Sequence, residues 1–202
     1  MKMRAAVFFL ISCALNFLAG AQVKNDTLIK QYKMNPKEIK IRDYDRKFMT
    51  RAIQLSQESV NSGDAAFGSL ITMDDKLIAE GLNNYKTKIS EHAEIVALNN
   101  AHKILGTSDL SACTLYTSCE PCPMCSFMIR EFKIKRVVFA LPSMYMGGYS
   151  KWPILQDKNL STLKPIFSDP PEVIGGFMED EAKAVMDQTK LWMFGTHPTK
   201  KH

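Results

Sequence analysis

The sequence predicts a layered α/β domain. Three observations carry this. Apolar stripes at helical spacing alternate with short apolar runs that read as strands. Two of those runs flank a tight Asp74-Asp75 turn, as a hairpin would. Two of the helical stretches begin at residues suited to helix starts, Ser90 and Pro121.

In chain order, Asp43–Asn61 reads as an amphipathic helix with Phe48, Ala52, Ile53, Leu55 and Val60 on its apolar face, stopped by Ser62-Gly63-Asp64. Phe67–Met73 and Lys76–Gly81 read as the paired strands. Ser90 caps a helix from Glu91 to about Ile104, with Ile95, Leu98 and His102 turned inward. Thr114–Ser118 is a strand, Pro121 to about Phe132 a helix, and Arg136–Ala140 a strand. Pro142–Pro171 is rich in turns, and Glu179–Trp192 reads as a last helix.

The N-terminus has the three parts of an export signal. Lys2 and Arg4 give a positive start, Ala5–Leu18 an apolar run, and Ala19-Gly20-Ala21 a small-residue cleavage site. The run is shorter than the roughly 20 residues that span a bilayer. Residues 1–21 are therefore expected to be a signal peptide, 22–42 a polar lead-in, 43–142 the core domain and 143–202 a C-terminal extension. The expected location is periplasmic or secreted, with no stable membrane association unless Cys13, in Leu10-Ile11-Ser12-Cys13, is lipidated. Loss of residues 1–21 removes two positive charges and lowers the formal charge from +5 to +3. That is too mild for a nucleic-acid footprint.

Four cysteines then remain: Cys113, Cys119, Cys122 and Cys125. In an exported chain disulfides are the default. Cys113 and Cys119, at the two ends of one strand, would lie about 20 Å apart at about 3.3 Å per residue, too far for a bond that needs Cα atoms within about 7 Å. Cys122 and Cys125 stand at C-x-x-C spacing, which suits a redox pair or a metal. His92-Ala93-Glu94 decides the reading. One imidazole and two thiolates make a zinc site with a fourth position open, and zinc lowers the pKa of water held there to about 7. Glu94 can move that water's protons without ligating the ion. H-x-E followed by P-C-x-x-C is the signature of the base-modifying zinc deaminases.

From Asp43 to Leu141 the chain resembles the cytidine and deoxycytidylate deaminase superfamily. Leu115-Tyr116-Thr117-Ser118-Cys119-Glu120-Pro121-Cys122-Pro123-Met124-Cys125 resembles most the branch of bacterial guanine deaminase and tRNA adenosine deaminase. The resemblance implies a three-layer α/β/α domain with a mixed central sheet, a zinc site between two helices, and a homodimer. It implies one zinc per chain on His92, Cys122 and Cys125, with Glu94 as the catalytic proton shuttle. Phe67 and Gly68 would stand at the pocket wall, and Asn83 would hydrogen-bond the base. The chain departs from the family pattern at Lys88-Ile89-Ser90-Glu91, where Asp-Pro-Thr-Ala is common, and at Ala66, where proline is usual. The stretch Met146–Trp152 and most of the tail after it match no pattern.

The expected reaction is hydrolytic deamination of a nucleobase or nucleoside, with guanine or a related amino-heterocycle favoured. Three rivals stand beside it. The first is deamination of adenosine in tRNA or other RNA, which export and mild charge oppose. The second is a non-catalytic zinc protein of the same fold, which has no use for Glu94. The third is a thiol oxidoreductase using Cys122 and Cys125.

Overall fold

Helix α1 (Asp45–Asn61) is the first element among the described residues, and the Asp45 carboxylate accepts the Arg42 N–H at 2.7 Å at its start. The computed structural model describes residues 41–189 and 191. The expected signal peptide with Cys13, almost all of the lead-in, and Trp192, His197 and His202 lie outside the described residues. Among the described residues no helix is long and apolar enough to cross a membrane.

The chain continues through β1 (Gly68–Met73), β2 (Lys76–Leu82), α2 (Ala93–Leu105), β3 (Cys113–Cys119), α3 (Pro123–Glu131), β4 (Arg136–Leu141), β5 (Glu172–Ile174) and α4 (Glu179–Met186). The five strands form one mixed sheet in the order β2-β1-β3-β4-β5. β1 runs antiparallel to both its neighbours, and β3, β4 and β5 run parallel. So β2 and β3 point the same way, with β1 between them. The connection from β2 to β3 through α2, and that from β3 to β4 through α3, are both crossovers.

Both crossover helices pack on one face, α2 on β1 and β2 and in touch with α3; α1 lies on the other face with α4. Two same-face crossovers that leave strands pointing the same way must both begin beyond the strands' carboxyl ends. The starts of α2 and α3 are thereby brought to one edge of the sheet, the usual ligand edge of α/β folds. Between the crossover helices and the sheet lies a core that includes Ile71, Leu98, Leu115, Ile129 and Val137, all fully buried.

The structure differs from the sequence reading at several element ends. The residue before α2 is His92, not Ser90, and α2 has no side-chain cap. α3 begins at Pro123 rather than Pro121. His102, read as inward, is exposed, because only Ile95, Leu98 and their neighbours face the sheet. β5 was not foreseen: three residues after Pro170-Pro171 carry no periodicity and become a strand only by pairing with β4. The last helix ends at Met186.

The other face of the sheet holds a buried ion pair. Arg136 of β4 donates to Asp45 Oδ1 at 2.8 Å and to Oδ2 at 2.7 Å, and the Tyr116 hydroxyl donates to the same carboxylate. Burial alone would raise the Asp45 carboxyl, but the hydrogen bonds from Arg136, the Arg42 N–H and Tyr116 outweigh it and hold it below the ordinary 3.8. Breaking such a pair strands a charge and costs about 3–5 kcal/mol. Asp45→Asn is expected to lower stability by about 3 kcal/mol in urea titrations at pH 7. The same pair sets an acid limit. A depressed carboxyl contributes stability that is complete above 3.8 and is lost as pH falls through the lower folded value. Unfolding curves from pH 6 to pH 2 should show that loss in the wild type and not in Asp45→Asn.

Candidate active site

His92 and Cys122 occupy equivalent places. Each is the residue just before a crossover helix, with extended backbone (ψ 153° and 171°). Such positions usually carry Ser, Thr, Asp or Asn, whose side chains turn back to cap the helix. Imidazole and thiol do not cap here and are free to face each other across the sheet edge. Cys125 follows in the first turn of α3, and Glu94 in the first turn of α2.

The donor atoms are close. His92 Nδ1 lies 3.5 Å from both Cys122 Sγ and Cys125 Sγ, and the two sulfurs are 3.5 Å apart. A disulfide would need about 2.05 Å, and all four cysteines in the described residues are free. A tetrahedral ion with bonds of about 2.3 Å to sulfur and about 2.0 Å to nitrogen spaces its donors about 3.5–3.8 Å apart. The three residues therefore fit zinc in donor chemistry and in spacing. Among the described residues they are the group of metal-type donors whose ligand atoms all lie within 4.8 Å of one another.

The electrostatics are those of a proton-handling site. The hydrogen bond from Cys125, with His92 beside it, pulls the Cys122 thiol down to about 4. Cys125, which donates that bond and is buried, is pushed up. His92 is raised by its bond to Cys122. Glu94 is raised to about 7, first by burial and then by the charge of Cys122. A carboxyl near 7 both takes and gives protons at neutral pH. Its Oε2 lies 3.6 Å from Cys125 Sγ and its Oε1 3.5 Å from the Thr117 hydroxyl of β3. Cys119 points into the interior, where burial raises its thiol well above the ordinary value.

Asn83 lies just past β2 and is 5% exposed. Its Nδ2 donates to Asp64 Oδ1 at 2.9 Å. Its own Oδ1 is buried and has no hydrogen-bond partner among the described residues. Asp64 is in turn fixed by the Ala65 N–H at 2.7 Å and the Lys86 N–H at 3.2 Å, and its charge is felt at His92. Because a carboxylate only accepts, the Asn83 amide must present its nitrogen to Asp64. Phe67 is half-buried, and its carbonyl accepts the Asn83 N–H at 3.4 Å. Gly68 sits beneath α1: a Cβ there would overlap the Ser56 nitrogen, and its N–H donates to Ser118 Oγ at 3.1 Å.

Three residues near the site carried no assignment in the sequence reading. Thr117 stood in a quoted motif without a role. Asp64 read as a helix stop, and nothing local tied it to Asn83. Tyr85 places its ring 6.0 Å from that of His92 and had no motif around it. The departure Lys88–Glu91 is a tied turn, with Glu91 bound to Asn84 and Lys88.

The fold and the cluster together define an α/β domain built around a His/Cys/Cys zinc-type centre with a carboxyl beside it. Residues 42–141 match the model of the cytidine and deoxycytidylate deaminase zinc-binding region. Guanine deaminase of Bacillus subtilis (strain 168) is 46% identical over 96 residues, which are 46% of this chain and 62% of that protein. A probable cytosine deaminase of Schizosaccharomyces pombe is 33% identical over 144 residues, 68% of this chain and 87% of that protein. A solved structure from a study of A-to-I editing by tRNA deaminases at the wobble position shares the fold, with a TM-score of 0.61 at 24% identity, covering 69% of this chain and 99% of that one. The chain belongs to the cytidine and deoxycytidylate deaminase family.

The lowered Cys122 thiol gives a test that needs no substrate. After chelator treatment, iodoacetamide should label Cys122 at a rate that stays flat from pH 6 to pH 8, because a thiol with a value of about 4 is already ionised there. An ordinary thiol would react about tenfold faster per pH unit over that range. Peptide mapping should find buried Cys113 and Cys119 unlabelled.

Proposed function

We propose that the protein is a zinc-dependent hydrolytic deaminase of a nucleobase or nucleoside, with guanine or a related amino-heterocycle as the favoured substrate and one zinc per chain. The observation that carries the reading is the buried Glu94 carboxyl, with Oε2 3.6 Å from Cys125 Sγ, beside a His92/Cys122/Cys125 cluster that fits zinc. A purely structural zinc site needs no such group. The 46% identity to a guanine deaminase over 96 residues supports the choice of base.

His92, Cys122 and Cys125 would hold the ion, which when bound supplies a Lewis acid and lowers the pKa of water to about 7. Glu94 accepts one proton from the attacking water and passes it to the ring nitrogen next to the amino-bearing carbon. It then takes the second proton from the hydroxyl now on that carbon and gives it to the amino group, which leaves as ammonia while the carbonyl forms. Thr117 holds the other carboxyl oxygen in place. Asn83, with its nitrogen committed to Asp64, offers Oδ1 to an N–H of the heterocycle, and Phe67 lines the pocket beside it. We place the enzyme outside the cytoplasm, where a free base is a more accessible substrate than tRNA, and as a homodimer.

Purified protein should contain about one zinc per chain and release ammonia from one member of a panel of guanine, adenine, cytosine, their nucleosides and a tRNA anticodon stem-loop. Glu94→Gln should keep its zinc and lose about 10²–10⁴-fold in kcat. Cys122→Ser should lose the metal. Asp64→Ala should raise KM about tenfold, the size of one hydrogen bond of about 1.4 kcal/mol, with little change in kcat. Zinc bound without turnover of any panel member would overturn the deaminase reading, and turnover of the stem-loop alone would move it to tRNA.

A further inference from the structure

The stretch after β4 matched no pattern in the sequence, yet two buried charges hold it. Glu120 lies between Cys119 and the Pro121-Cys122 turn and is 3% exposed. Its Oε1 accepts the N–H groups of Tyr149 at 3.1 Å and Ser150 at 2.7 Å. Its Oε2 accepts the Ser143 N–H at 2.9 Å and the Ser150 hydroxyl at 3.0 Å. The loop also bonds directly to the metal-site turn, the Gly148 N–H donating to the Pro121 carbonyl at 2.7 Å. Gly147 packs so tightly on the carboxylate that a Cβ there would overlap it.

The second charge is Arg130, fully buried in the last turn of α3. Its guanidinium donates to the carbonyls of Ile154 at 2.7 Å, Asp157 at 2.9 Å and Ser168 at 2.6 Å, and to Ser161 Oγ at 3.3 Å. One charge thus sits just before α3 and the other at its end, and both are satisfied mainly by backbone groups of residues 143–168. A carboxylate that accepts several N–H groups from one loop fixes that loop far more tightly than surface contacts would.

We propose that Glu120 is a positioning residue for the deamination. It clamps residues 143–152 against the Pro121-Cys122 turn, and that loop forms one wall of the substrate pocket. The wall sets which heterocycle is held against the metal site. The loop carries Tyr145 and Trp152, 46% and 51% exposed, tied to each other through the Trp152 Nε1–H and the Tyr145 carbonyl at 3.3 Å. Their rings suit the face of a planar base. Glu94, not Glu120, moves the protons. This inference rests on the deaminase reading for its substrate and on the hydrogen bonds alone for the clamp.

The test compares Glu120→Gln, Gly147→Ala and Ser150→Ala with the wild type in the zinc-loaded full chain. Gln keeps the shape of Glu but turns an NH2 group on donors that need an acceptor. Gly147→Ala disturbs the same clamp without touching Glu120, and Ser150→Ala removes one hydrogen bond if the others fail to fold. Hydrogen exchange reads the loop directly. Amides of residues 143–150 should exchange at least tenfold faster in Glu120→Gln and Gly147→Ala, with zinc content unchanged. KM for the panel substrate should rise at least fivefold while kcat stays within twofold, and the preference between the best and second-best base should shrink. Unchanged exchange in both variants overturns the clamp. Faster exchange with unchanged KM overturns the pocket wall. A fall in kcat in Glu120→Gln, with Gly147→Ala normal, would make Glu120 part of the chemistry instead. If the wild type turns over no panel member, the deaminase reading and the wall fall together, and the exchange result still judges the clamp.

Discussion

The structure depends on one constraint: three metal-type donors at the starts of two separate helices must meet within bonding reach of one point. His92 and Cys122 each sit immediately before a crossover helix, so the constraint becomes topological. Both helices must lie on the same face of the sheet, and both must leave strands that run the same way. The antiparallel β1 between β2 and β3 meets the second condition, since it turns β2 to run with β3 and β4. The helix N-termini add a field that favours thiolates.

The same closeness explains how the local acidities divide. Four ionisable groups share a small, mostly buried volume, and they cannot all be charged. Cys122, the less buried thiol and the one receiving hydrogen bonds, takes the negative charge. Cys125 and Glu94, deeper and beside that charge, keep their protons more readily. Cys122 and Cys125 both belong to the donor cluster, one lowered and one raised, and Glu94 stands beside them with its carboxyl raised to about 7.

Much of this was legible in the sequence because it is local. The helices and the four longer strands follow from apolar spacing, and the His92, Glu94, Cys122 and Cys125 pattern from its separation and its placement at helix starts. What was not legible is what depends on partners far along the chain. β5 has three residues and exists only through β4. Asp64 acquires its place through Asn83, which lies beyond a whole hairpin. His102 falls at helical spacing from inward residues, yet α2 buries too narrow a stripe to include it. Nothing local in the sequence shows that Glu120 and Arg130 are buried. They are buried because the loops after β4 fold over them, and no short-range pattern announces those loops.

This difference bears on how far kinship reaches. The family match ends at Leu141, the last residue of β4. His92, Glu94, Cys122 and Cys125 and the elements that carry them all lie inside the matched stretch. The loop held by Glu120 and the belt held by Arg130 lie outside it, although the residues that hold them lie within. A shared scaffold can therefore keep its chemistry while the pocket wall changes, since a fold carries many substrates by exchanging loops on fixed elements. The two clamps face the loop with a carboxylate and a guanidinium that bind mostly backbone, and backbone is common to every loop sequence. Such anchors hold the segment after β4 through its backbone, and outside contact positions such as Gly147 and Ser150 they leave its side chains free to vary. Relatedness in the core thus argues for deamination more strongly than it argues for any one base.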